Sequence, residues 1–120
     1  MTYRDDNVFL LHMRDDAEKL IDLLENRNES DLLNDWVIQY AARKAIEVVG
    51  EAANRVSADT RARYPDIPWR DIIDMRNQLT HGYDTLDINV IWRTAHEDFP
   101  PLLARLNEIL DQMSVDGDHE

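Results

Sequence analysis

Apolar residues recur along this chain in steps of three and four almost from end to end, the signature of amphipathic helices. Leu10, Met13, Ala17, Leu20 and Leu24 predict a first helix that Asp5 and Asp6 cap and that ends near Glu25, before a polar turn at residues 26–30. Asp31 or Asn34 opens a second and longest helix, with Ile38, Ala42, Ala45, Val49, Ala52 and Val56 on one face and Val37, Ala41 and Val48 widening it. That width marks the central helix, and the small residues Gly50, Ala52 and Ala53 invite a neighbouring helix to come close. Residues 57–65 read as a connector with one short helical turn from Asp59 to Tyr64. Pro68 then starts a helix carrying Trp69, Ile72, Ile73 and Leu79 on one stripe, and Gly82 offers its left-handed stop. Asp87 caps the last helix, whose Ile88, Trp92, Ala95, Phe99, Leu102, Leu106, Ile109 and Met113 keep phase through Pro100-Pro101. The prolines therefore imply a kink or a first-turn restart within one helical direction. The fold class is all-α: an up-and-down bundle of four to five helices over residues 1–113, followed by an acidic tail at 114–120.

Chemistry concentrates in Arg76-Asn77-Gln78-Leu79-Thr80-His81-Gly82-Tyr83. Arg76 lies four residues beyond Ile72 and three before Leu79, so its guanidinium falls on the apolar stripe and needs an acid in the core or an outlook through a subunit interface. Glu47 and Glu51, one turn apart on the central helix, read as a solvated face or a partner to Arg76 before an acid–base pair, and of the two Glu51 is the one expected to face the motif. His81 lies about 140° round the helix from Arg76, on the face of Asp74, Asn77 and Gln78, where the helix dipole favours an imidazolium. Two readings follow. A structural ion pair with a helix-capping histidine is one; a fixed cation and a titratable group serving a phosphodiester is the other.

The arrangement Arg76-Asn77-x-x-x-His81-x-Tyr83 resembles the R-x4-H-x-Y motif of HepT-like proteins, a branch of the all-helical HEPN superfamily. Ile67-Pro68-Trp69-Arg70-Asp71-Ile72, Val49-Gly50-Glu51-Ala52-Ala53, Asp87 and Trp92 join it at matching spacings, so that the resemblance covers about residues 5 to 110. It implies a homodimer and an endoribonuclease toxin of a type VII-like toxin–antitoxin module, working without metal or other cofactor. Arg76 and His81 would be catalytic, Asn77 would orient one of them, and Glu51 would support the site. A minimal, MntA-like nucleotidyltransferase antitoxin would silence the toxin by transferring AMP to Tyr83. Read from the residues alone, Tyr83 is a ring packed over the helix end.

Charge pulls the other way. The formal net charge of −12 among 120 residues argues against a general RNA-binding surface. Neither half is basic: residues 1–60 hold seven basic and thirteen acidic side chains, and the rest six and twelve. An RNA site must be a small patch built on Arg76 and a symmetry mate, with Arg43, Lys44 or Arg70 as candidates to extend it. Otherwise the chain is a non-catalytic nucleotide- or partner-binding subunit of a nucleotidyltransferase complex, its acidity answering a basic partner.

The remaining motifs exclude more than they suggest. No cysteine is present, no phosphate-cradling glycine loop, and no apolar run of the ~20 residues a membrane span needs. An acidic start without a basic leader points to the cytoplasm. His12 with Asp16, and His96 with Glu97, are each too few for a metal site.

Overall fold

The computed structural model describes the backbone of residues 3–81 and 87–118 and the side chains of residues 6–79 and 87–114. Seven α-helices follow one another among them: α1 Tyr3–Leu24, α2 Glu29–Asn34, α3 Trp36–Arg55, α4 Ala58–Arg63, α5 Trp69–His81, α6 Ile88–Arg93 and α7 Phe99–Asp118. A π-helical turn, Thr94–Asp98, joins α6 to α7. Four long helical runs therefore make an all-α bundle: α1, α3, α5 and the joined α6–α7. α1 packs on α3 and α7, α3 carries α5 on its other flank, and α2 and α4 are short connectors.

The periodic apolar positions do become the core. Leu10, Met13, Ala17, Leu20 and Leu24 of α1 are fully buried against Ile38, Ala42, Ile46, Val49 and Ala53 of α3 and against Phe99, Leu102, Leu106 and Ile109 of α7. Two expectations for α3 fail. At 20 residues it is shorter than α1, which has 22. Its stripe widens through Ile46 and Ala53, while Val37 stands 55% exposed and Ala41 is exposed.

Caps explain where the segments begin. The polar turn expected at residues 26–30 is shorter, because Asn28 forms a capping box: its side chain accepts from the Asp31 amide at 2.9 Å while Asp31 accepts from the Asn28 amide at 2.9 Å. Asp35, in an extended conformation, breaks the chain and caps α3 through bonds from Val37 and Ile38 at 2.9 and 3.3 Å. The expected caps at Asp31 and Asn34 thus belong to a separate helix. Asp87 caps α6 as its position predicts, accepting from the Asn89 amide at 2.8 Å.

Asp6 is not a cap. It lies inside α1, 2% exposed, and accepts from the Ser57 amide, the Ser57 hydroxyl and the Thr60 hydroxyl at 2.8, 2.6 and 2.5 Å. Ser57 in turn caps α4, so this carboxylate ties the start of α1 to the connector after α3. Burial pushes the Asp6 carboxyl up, but the bonds from Ser57 and Thr60 outweigh it and hold the group below the ordinary aspartate range.

The prolines act through the turn before them. Phe99 donates to the carbonyl of Thr94, five residues back, and this wider turn relieves the clash a proline ring makes with the carbonyl four residues earlier. The helical direction survives, with Ile91, Ala95, Phe99, Leu102 and Leu106 all facing the core. Ile91, rather than Ile88 or Trp92, supplies the buried anchor of α6.

Candidate functional site

α5 is positioned from both ends of its first turn. The Pro68 carbonyl accepts from the Ile72 amide at 3.1 Å, and the Trp69 indole donates to the Tyr64 carbonyl at 3.0 Å, anchoring a ring that is 8% exposed. Further along, α5 crosses α3 at Gly50. A Cβ on Gly50 would collide with the Cβ of Arg76 and would sit 3.0 Å from both the Arg76 Cγ and the Ile72 carbonyl oxygen. Glycine is thus required by the closeness of the two backbones, which sets the root of the Arg76 side chain directly on α3.

That approach lets Arg76 reach Glu51. Its Nη2 lies 2.6 Å from Glu51 Oε2, and its Nη1 donates to Asn77 Oδ1 at 2.9 Å. The other Glu51 oxygen accepts from Arg55 Nε at 3.0 Å, so one carboxylate sits between two guanidinium groups. Arg55, and with it Arg76, holds the Glu51 carboxyl below the ordinary glutamate range. The Arg76 side chain is 26% exposed and that of Glu51 37%, so the pair lies at the margin of the core, open to solvent and not sealed within. Arg55 was not singled out in the sequence, although its i,i+4 spacing from Glu51 is the signal that would have found it.

The structure therefore brings Arg76, Asn77 and Glu51 together. His81 is the last residue of α5, one turn beyond Asn77, and its side chain lies outside the described residues, as does Tyr83 entirely. Glu47 is not part of the cluster's ion pairs; it stands near Lys44 at 3.7 Å on the surface. Arg70, the second residue of α5, is exposed. His12 is exposed, and His96 stacks on Trp92 at 4.0 Å between ring centroids. Among the described residues no group of three His, Cys, Asp or Glu is placed to hold a metal ion. None of the helices there is long and apolar enough to cross a membrane.

A guanidinium fixed by a carboxylate and a neighbouring amide cannot swing away, and it presents a planar, permanently charged donor set to an anion. Such a group stabilises charge on phosphoryl oxygens but moves no proton itself. Histidine is the side chain whose ordinary titration lies nearest neutral pH, and His81 is the histidine on this helix.

A protein-family model described as Ribonuclease HepT-like matches residues 13–109. A protein of Thermococcus cleftensis named "Probable ribonuclease HepT" is 33% identical over 99 residues, covering 79% of this chain and 90% of its own. A protein of Methanocaldococcus jannaschii named "Putative RNase MJ1380" is 30% identical over 102 residues, 85% of this chain and 94% of its own. No solved structure matches the chain.

Proposed function

The chain belongs to the HepT-like ribonuclease family, and from that premise we propose that it is a metal-independent endoribonuclease, the toxin of a type VII-like toxin–antitoxin module. The observation that carries the catalytic reading is the guanidinium of Arg76, held by Glu51 and Asn77 five residues before His81 on the same helix. In the proposed reaction the His81 imidazole takes the proton of an RNA 2′-hydroxyl as that oxygen attacks the adjacent phosphorus. The bond from phosphorus to the 5′-oxygen breaks, a cyclic 2′,3′-phosphate forms, and the leaving oxygen takes up a proton. Arg76 binds the non-bridging oxygens as their charge grows, Asn77 orients the guanidinium, and Glu51 supports it from α3. A two-fold homodimer would bring two such segments to one cleft and supply the local positive charge that the −12 chain otherwise lacks. The partner in this proposal is a minimal nucleotidyltransferase that silences the site by AMP transfer to Tyr83, and the compartment is the cytoplasm.

The test is cleavage of a mixed-sequence RNA in chelator by the purified chain and by its His81→Ala variant. Loss of about 100-fold or more is expected in the variant, and undiminished cleavage by a folded variant would remove His81 from the mechanism. The net charge favours a second reading, a non-catalytic subunit that docks on the nucleotidyltransferase or holds its nucleotide. Expression of the chain alone separates the two, because the nuclease arrests growth and the binding subunit does not.

A further inference from the structure

The bundle is open along one edge. α5 leans on α3 and α7 on α1, and between α5 and the π turn with the start of α7 lies a cleft of about 440 Å³. Its floor is apolar: Ile72, Phe99 and Leu102 are nearly buried core residues and Met75 is half-buried. Its rim is acidic. Asp71 faces it from α5, and Glu97 and Asp98 from the π turn, none of the three in an ion pair among the described residues. The one arginine of the lining, Arg105, is neutralised twice, by Asp66 at 2.7 Å and by Glu108 at 3.0 Å. Two sets of carboxylates thus flank an apolar slot, and among the described residues no cation pairs with Asp71, Glu97 or Asp98, so the rim suits a cationic ligand.

We infer that this α5–α7 cleft is the docking site for a cationic amphipathic segment of another protein, which lays apolar side chains on Met75, Phe99 and Leu102 and aims Lys or Arg at Asp71, Glu97 and Asp98. The volume suits two or three large side chains of a helix seated in a groove. Charge selects the occupant: RNA is repelled by the rim, and a second copy of the chain brings a further −12. Position says what docking leaves uncovered. Asn77 lies two residues, about 200°, round α5 from Met75, so a partner in the cleft grips the helix on the side away from Asn77 and acts as a tether, not a plug. The inference does not depend on the ribonuclease reading.

The test uses the full chain and a defined probe, a 14-residue helical peptide with a leucine stripe flanked by lysines, beside a control with glutamate in place of lysine. Titration followed by NMR and calorimetry is expected to give micromolar binding to the lysine peptide alone. Shifts should centre on Ile72, Met75 and Leu102, and affinity should fall about tenfold in Asp71→Asn/Glu97→Gln/Asp98→Asn, whose sites are all exposed. A matched triple of exposed acids on α1 and just past its end, Glu18→Gln/Asp22→Asn/Glu25→Gln, should leave affinity unchanged. Equal weakening by both triples would reduce the effect to net charge and overturn the proposal. So would shifts centred elsewhere, cleft shifts that follow chain concentration without peptide, or cleft shifts produced by an RNA oligonucleotide.

Discussion

Gly50 and Arg76 touch at the crossing of α3 and α5, with the first carbons of the arginine side chain filling the place a side chain on Gly50 would occupy. The geometry of the guanidinium proposed to bind the anion is thereby set by a residue with no chemistry of its own. Gly50→Ala gains about 1 kcal/mol of helix propensity but forces the Ile72 carbonyl and the Arg76 stem to move, an overpacking cost of about 1–3 kcal/mol. The expected outcome is a modest fall in melting temperature with a much larger fall in RNA cleavage, measured on the same preparation. Full activity in the alanine variant would show that the site tolerates a displaced α5.

The Arg76–Glu51 pair is partly exposed, and Glu51 keeps Arg55 when Arg76 is lost. Arg76→Ala is therefore expected to cost about 1–2 kcal/mol, between the values typical of exposed and buried pairs, while removing cleavage. Glu51→Gln should leave the helical content intact and weaken cleavage less than Arg76→Ala, because the guanidinium loses its anchor but keeps its charge. Chemical denaturation and initial rates, taken together, check both statements.

Asp6 makes stability depend on acid. Its folded carboxyl titrates below the unfolded value of 3.8, so its contribution is fully present above the unfolded pKa and is lost as pH falls through the folded one. Asp6→Asn is expected to destabilise the chain by about 1–3 kcal/mol at neutral pH, since Ser57 and Thr60 lose a charged acceptor. The variant should also show a shallower loss of stability as pH falls below the unfolded value of 3.8. Parallel acid limbs in the two melting series would mean that another carboxylate governs acid unfolding.

The proposed dimer is checked by sedimentation at micromolar concentration and by a cross-link between cysteines introduced for Asn77 in both copies. A two-fold species that cross-links through this position is expected, and a monomer, or a dimer with the two segments on opposite outer faces, refutes it.

Tyr83 is checked by mass. Co-expression with the nucleotidyltransferase and ATP is expected to add one or more AMP units at Tyr83 and to abolish cleavage, as the added phosphate occupies the proposed anion site and repels RNA. An unmodified tyrosine in a fully inhibited complex would leave occlusion as the mechanism.

Much of this protein is written in its periodicity. The steps of three and four from Leu10 to Leu24 and from Ala95 to Met113 name the core, because a helix has one face to bury and its apolar positions must share it. Asp87 as a cap and Arg76 as a charge in want of an acid are legible for the same reason: each follows from the local geometry of one helix. The tertiary structure decided what one helix cannot know. It made Asp6 a buried acceptor for Ser57 and Thr60, 51 and 54 residues away, where local pattern offered only a cap. It gave Glu51 two arginines rather than one, and it placed the pair at the edge of the core, because the approach at Gly50 brings α5 down on one flank of α3 only. It also left a cleft between α5 and the start of α7, gathering Asp71 with Glu97 and Asp98 round an apolar slot, a juxtaposition of residues from two helices that no single helix's pattern specifies.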